Sequence, residues 1–291
     1  MFIAGIDGGG THTRIELRDM DNQLLRRGEF GPFNINSIGE QAFRSLLQEV
    51  FAWCGSMADC SRICVGAAGI SNPNLERVLK EELALTGFQG RFYLCGDQEI
   101  ALRGAMEGSG IAVIAGTGSI CFGKNNQGKT ARSGGYGHLI DDGGSGYSLG
   151  RDVLHYAVRA VDGRSSDTAI LQAVCSRLAS GAEGIVPFVY NPKTDKAAIA
   201  QFASVALELA GQGNPAAVQI LRREAEELQD LVRAVQNRLD LPNCRIALLG
   251  GLLESENPYR RIVSEALSEL GEVIAPAHNA LWGAAQLAWE N

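Results

Sequence analysis

The feature that most constrains this chain is a pattern that occurs twice. Residues 2 to 6 form an apolar run that leads into GIDGGGTHTR (5–14), and TRIELRDM (13–20) continues as an alternating strand. About a hundred residues later, GIAVIAGTGSICFGKNNQGKTARSGG (110–135) repeats that order of apolar strand, glycine/threonine loop and second strand. In the first copy Gly9, Gly10, Thr11 and Thr13 cluster at the loop; in the second Gly116, Thr117, Gly118 and Ser119 do. Bare backbone N–H groups beside hydroxyls suit an anion, most often a phosphate. One such loop also reads as an ordinary glycine turn, but the shared order favours two halves of related build.

Between the copies, EQAFRSLLQEVFAWC (40–54) places Phe43, Leu46, Leu47, Val50 and Phe51 at helical spacing. RICVGAAGI (62–70) and RFYLCGD (91–97) read as strands, NLERVLKEELAL (74–85) and QEIALRGAM (98–106) as helices. This alternation predicts an α/β sheet. Residues 151–240 read as mostly helical, with a long helix after Asn214-Pro215. CRIALLGG (244–251) is a further strand running into glycines, PYRRIVSEALSEL (258–270) a helix, and NALWGAAQLAW (279–289) a last helix whose Gly283, Ala284 and Ala285 permit close packing.

Composition removes several classes. The 291 residues are 45% hydrophobic and 20% charged, as expected of a protein with a sizeable core. A net charge of −7 argues against sequence-independent nucleic-acid binding, which needs a basic stripe. The seven cysteines are odd in number, scattered and without a CxxC pair, so free thiols in a reducing cytoplasm are expected. The four histidines lack zinc spacing. No apolar run approaches the roughly 20 residues of a membrane helix, and Asp7 interrupts the first apolar stretch too early for a signal peptide.

Other phosphate motifs fail. GSICFGKN (118–125) has the spacing of a P-loop, but Asn125 replaces the hydroxyl residue and a turn follows where the helix should start. GxGxxG is absent from both loops. Asp97 ends an apolar strand beside Gly96 and precedes a helix, so it reads equally as a helix cap and as a carboxylate offered to a cleft.

GIDGGGTHT, CGD (95–97), AGTGS (115–119), GGYGHLIDDGGSGY (134–147), AGQGNP (210–215) and LLGGLLES (248–255) together resemble the N-acetylglucosamine kinase family. The resemblance runs in order from residue 5 to about residue 285. It implies two ribonuclease-H-like (actin-like ATPase) domains around an ATP/sugar cleft. The first domain is expected over 1–110, with the C-terminal helix as a candidate to complete it. The second is expected over 111–291, with a helical insertion. The implied activity is ATP- and Mg²⁺-dependent phosphorylation of an amino sugar at its 6-hydroxyl, N-acetylglucosamine first. Glucosamine, or a partner-driving ATPase without a sugar, are the alternatives.

The resemblance also implies roles. Asp97 matches the catalytic base, and Asp7 the residue that holds Mg²⁺ through water. Gly9, Gly10, Thr11, Thr13, Gly116, Thr117, Gly118 and Ser119 match phosphate contacts. Ala210, Gly250, Gly251 and Ser255 match nucleoside contacts. Asn34, Gly135, Tyr136, Gly137 and Asp142 match sugar contacts, with Tyr136 standing where some members have tryptophan. A homodimer is the assembly the resemblance brings with it.

Overall fold

The computed structural model describes all 291 residues. The chain divides into two compact units, Met1–Gly108 with Pro276–Asn291, and Ser109–Ala275.

In the first unit, β1 (Phe2–Gly8), β2 (Thr13–Arg18) and β3 (Leu24–Phe30) form an antiparallel meander. A short α1 (Ile35–Ile38) and then α2 (Glu40–Cys54) cross to β4 (Cys60–Ala67), which lies parallel to β1. A second crossover, α3 (Leu75–Leu85), leads to β5 (Arg91–Gly96), parallel to β4, and α4 (Asp97–Ala105) follows at once. The strand order is β3-β2-β1-β4-β5.

The second unit repeats this plan. β6 (Gly110–Ala115), β7 (Ser119–Lys124) and β8 (Thr130–Gly134) form the meander. A long helical crossover follows: α5 (Gly146–Val161), α6 (Ala169–Leu178), α7 (Ile185–Val189), α8 (Lys196–Ala200), α9 (Ala203–Gly211) and α10 (Pro215–Leu239). It returns to β9 (Cys244–Leu249), parallel to β6, and α11 (Pro258–Ser268) leads to β10 (Gly271–Ile274), parallel to β9. The order β10-β9-β6-β7-β8 is the first sheet's order read from the other end. Two mixed sheets with this same connectivity are the duplicated ribonuclease-H-like arrangement.

The patterns behind these elements are local. α2 buries Phe43, Leu46, Leu47, Val50 and Phe51 on one face. α10 opens with Pro215 after Asn214, whose side chain accepts the Ala217 N–H. The central strands of both sheets are buried on two faces, which is why β1, β4, β6 and β9 are nearly continuous apolar runs.

The last helix, α12 (Ala280–Glu290), belongs to the first unit and packs on β1 and α4. Glycine makes that approach possible. A Cβ on Gly5 would collide with the Ala285 backbone, and one on Gly283 would meet the Ile100 carbonyl and lie 2.6 Å from the Gly104 nitrogen. Ala284, Leu287 and Ala288 then complete a small core with Cys64, Cys95 and Ile100. All seven cysteines are unpaired, and no helix is long and apolar enough to cross a membrane.

Candidate active site

In the first unit the expected residues gather where the parallel strands end. Gly8, Ala67 and Gly96 are aligned across β1, β4 and β5. Asp7 precedes that line on β1, and Asp97 follows it directly after β5. The carboxyl ends of parallel strands are where α/β sheets bind ligands.

Asp97 is the first residue of α4. The cap position belongs to Gly96, which lacks a side chain, so the cap reading of Asp97 does not hold in its usual form. Its Oδ1 accepts the Gln98 N–H at 3.0 Å. Burial pushes the Asp97 carboxyl above its ordinary value, against the pull of the Gln98 N–H and its own backbone N–H. Asp7 is raised as well, first by burial. Arg14, directly opposite on β2 with Nε 3.9 Å from Oδ2, lowers it, and the Asp97 charge raises it again. The Asp97 charge therefore reaches Asp7 and opposes its ionisation.

The first glycine loop is a tight turn. The Gly9 N–H donates to the His12 carbonyl at 3.0 Å, and the Gly9 carbonyl accepts the Phe33 N–H at 3.0 Å. Gly10 and Thr11 are exposed beyond it, with open space where a Gly10 Cβ would stand. Thr13 departs from expectation. It is fully buried in β2, and its hydroxyl donates to the Gly31 carbonyl at 2.6 Å, so it fastens the Gly31 turn and does not face a ligand. Asn34 caps α1 with Oδ1, which accepts the Asn36 N–H at 3.0 Å. That oxygen also lies against Gly69, whose φ is +77° and whose Cβ would come within 2.8 Å of it. The Nδ2 of Asn34 remains as a donor.

The second unit holds the other residues. Gly116, Thr117 and Gly118 link β6 to β7. The Gly116 and Thr117 carbonyls accept the Gly146 and Tyr147 N–H groups at 2.8 and 3.2 Å, which seats the start of α5 against the loop. Ser119 is buried, and its hydroxyl donates to the Gly143 carbonyl at 2.6 Å. Gly250, at the end of β9, has φ +88° and approaches the Ala115 carbonyl so closely that a Cβ would stand 2.5 Å from that oxygen. Gly251 and Ser255 are exposed after it. Ala210 is the next-to-last residue of α9, and its neighbour Gly211 faces Pro258 at the start of α11.

The segment expected to contact sugar splits in two. Gly135 and Tyr136 are exposed, Gly137 is half-buried, and Arg132 lies over the Tyr136 ring at 5.0 Å. Asp142 is buried, with φ +68°, and its Oδ1 accepts the Ser119 N–H at 3.5 Å. It therefore rests on the second glycine loop, against Gly118 and Ser119. Glu224, absent from the sequence reading, lies under this segment. Its signal was visible: it falls on the apolar stripe of α10 beside Leu221, Ala225 and Leu228.

A divalent cation fits the first unit. Asp7 and Asp97, near enough that the Asp97 charge raises Asp7, form a hard oxygen donor set with the Thr11 hydroxyl nearby in sequence. No group of three or more acidic, histidine or cysteine side chains forms a closed cage. That suits an ion held mainly through water and a ligand's phosphates.

A duplicated ribonuclease-H-like scaffold with a glycine/threonine loop in each half is the framework of the actin-like ATPase and sugar-kinase class. Within that class, the chain belongs to the BadF/BadG/BcrA/BcrD ATPase family, whose model matches residues 4–288. It is similar to an N-acetylmuramic acid/N-acetylglucosamine kinase of Clostridium acetobutylicum, at 34% identity over 265 residues, covering 88% of this chain and 87% of that one. It is 29% identical over 289 residues to an N-acetyl-D-glucosamine kinase of Dictyostelium discoideum, covering 92% and 90%. The solved structure of a provisionally assigned N-acetylglucosamine kinase from Chromobacterium violaceum superposes with a TM-score of 0.79 at 26% identity, covering 99% of this chain and 98% of that one.

Proposed function

We propose that this protein is an ATP-dependent amino-sugar kinase that phosphorylates N-acetylglucosamine at its 6-hydroxyl, in the cytoplasm. The observation that carries the reading is the Asp97 carboxylate at the end of β5. Burial raises it above its ordinary value, the direction that strengthens a base, and it lies beside Asp7 in a chain whose relatives carry sugar-kinase names.

Asp97 accepts the proton of the 6-hydroxyl as that oxygen attacks the γ-phosphorus. Such a base typically contributes about 10² to 10⁴ in rate. Asp7, with Asp97 near it, holds Mg²⁺ through water; the ion supplies charge neutralisation of the phosphates when bound. The exposed Gly10 and Thr11, with Gly9 shaping their turn, contact phosphate from the first unit. Gly116, Thr117 and Gly118 form the corresponding phosphate loop of the second unit, and Ser119 seats it, its hydroxyl donating to the Gly143 carbonyl and its N–H to Asp142. Gly250, Gly251, Ser255 and Ala210 bound the nucleoside. Asn34 donates through Nδ2 to a sugar hydroxyl. Gly135, Tyr136, Gly137 and Asp142 complete the sugar contacts.

Arg132 over Tyr136 favours an acetylated sugar over free glucosamine, because a second cation at that ring meets the guanidinium. The family's description as ATPases supports one other reading, an ATPase that drives a partner without a sugar. Proton–phosphorus correlation NMR of the product formed from ATP, Mg²⁺ and N-acetylglucosamine tests the proposal. Phosphorus coupled to the two H6 protons is expected; coupling to H1, or no sugar phosphate at all, refutes it.

A further inference from the structure

The loop that carries Asp142 is held by a buried carboxylate that has no place in the reaction itself. Glu224 Oε2 accepts the Gly144 N–H at 2.6 Å and also accepts the Ser148 hydroxyl. The other face of the same turn is closed by Tyr259, fully buried, whose hydroxyl donates to the Gly144 carbonyl at 2.8 Å. Ser119 donates to the adjacent Gly143 carbonyl at 2.6 Å. Gly144 has φ +81° and Asp142 φ +68°, so two departures from ordinary backbone lie within three residues. A non-glycine residue in that region costs free energy and persists only where its surroundings enforce it. With the turn so fixed, the Asp142 carboxylate sits against Gly118 and the Ser119 N–H, where a Gly118 Cβ would come within 3.0 Å of Oδ2.

We infer that Glu224 is a positioning residue for the sugar-binding aspartate: its carboxylate ties Gly144 and Ser148 to α10 and thereby fixes Asp142 in its left-handed conformation against the second glycine loop. This rests on the sugar-kinase reading above. Stability alone does not account for the residue. Glu224 is 2% exposed and interrupts an apolar stripe that a leucine would continue. A buried carboxylate is costly unless it is hydrogen-bonded, and its bonds here go to the Asp142 turn. Arg151, 3.9 Å from Oε1 and 52% exposed, is a weak counter-charge; Asp152 close by opposes it.

The test is steady-state kinetics of the full chain with each substrate varied in turn, for wild type, Glu224→Gln, Ser148→Ala and the exposed α10 control Glu226→Gln, together with thermal melts. Glutamine keeps one acceptor oxygen but places an amide NH₂ toward Arg151. Glu224→Gln is expected to raise the sugar KM by about 10- to 100-fold, as misplacement of a binding group does, with a markedly smaller change in the ATP KM. Ser148→Ala, which leaves the Gly144 bond intact, shifts the sugar KM in the same direction by less and carries the test should Glu224→Gln not fold. Glu226→Gln stays at wild type. An unchanged sugar KM in both variants, or equal rises for sugar and ATP, overturns the inference. A wild-type protein that phosphorylates no sugar overturns instead the reading on which it rests.

Discussion

Replacing Asp97 by asparagine should move activity and stability in opposite directions. Asparagine keeps an acceptor for the Gln98 N–H, which Oδ1 now receives at 3.0 Å. It gives up the interaction of a negative charge with the first turn of α4, about 0.3–1 kcal/mol. In return it removes a carboxylate that burial disfavours and whose charge raises Asp7. The relief at Asp7 adds to that at Asp97. The variant is therefore expected to be more stable than wild type at pH 7.5, with a higher Tm. The sign with pH follows from linkage. A carboxyl raised in the folded state binds more protons than it does unfolded, so its contribution is fully favourable below the ordinary carboxylate range and is lost as pH rises through the folded value. The gain of Asp97→Asn should thus shrink to nothing as pH falls below about 4. Turnover should fall by about 10² to 10⁴, with nucleotide affinity retained. Scanning calorimetry across pH and coupled ADP-release kinetics read both quantities. A variant less stable than wild type at pH 7.5, or one that keeps turnover within about tenfold, refutes the reasoning.

Gly283→Ala drives a methyl into the Ile100 carbonyl and toward the Gly104 nitrogen at 2.6 Å; it should destabilise the protein by about 1–3 kcal/mol, and an unchanged Tm contradicts the packing described. Gly250→Ala combines φ +88° with a Cβ 2.5 Å from the Ala115 oxygen; titration with a fluorescent ATP analogue should show weaker binding, whereas wild-type affinity would remove Gly250 from the nucleoside contacts. Arg132→Met removes the guanidinium from the Tyr136 ring; the ratio of kcat/KM for glucosamine over N-acetylglucosamine should rise about two- to fivefold, and an unmoved ratio separates Tyr136 from the amino-sugar substituent.

Much of this architecture could be read from the chain because its determinants are local. The doubled strand, glycine/threonine loop and strand became two sheets of one strand order, and α2 and α12 lie within a residue or so of their apolar patterns. What escaped depended on distant partners. β8 (TARSG) and β10 (GEVI) are short edge strands that owe their form to β7 and β9 and carry no long apolar run of their own. The packing of α12 on β1, from the far end of the chain, follows from Gly5 lying under Ala285, a contact no local window contains. In the candidate site, the strand-end aspartates and bare loops were legible from residue type and position. Thr13 was misplaced because strand alternation turns its hydroxyl to Gly31. That Asp142 adopts φ +68° and accepts the Ser119 N–H is a feature the sequence does not reveal.

The central claim is that ATP turnover by this protein requires an amino-sugar acceptor. The most direct measurement is ADP release from ATP and Mg²⁺ against N-acetylglucosamine, glucosamine, N-acetylmannosamine, glucose and no sugar. The account predicts strong stimulation by N-acetylglucosamine, weaker turnover with glucosamine, and little ADP without sugar. ADP release that proceeds at the same rate whether or not any sugar is present contradicts it and makes this chain an ATPase that works on something else.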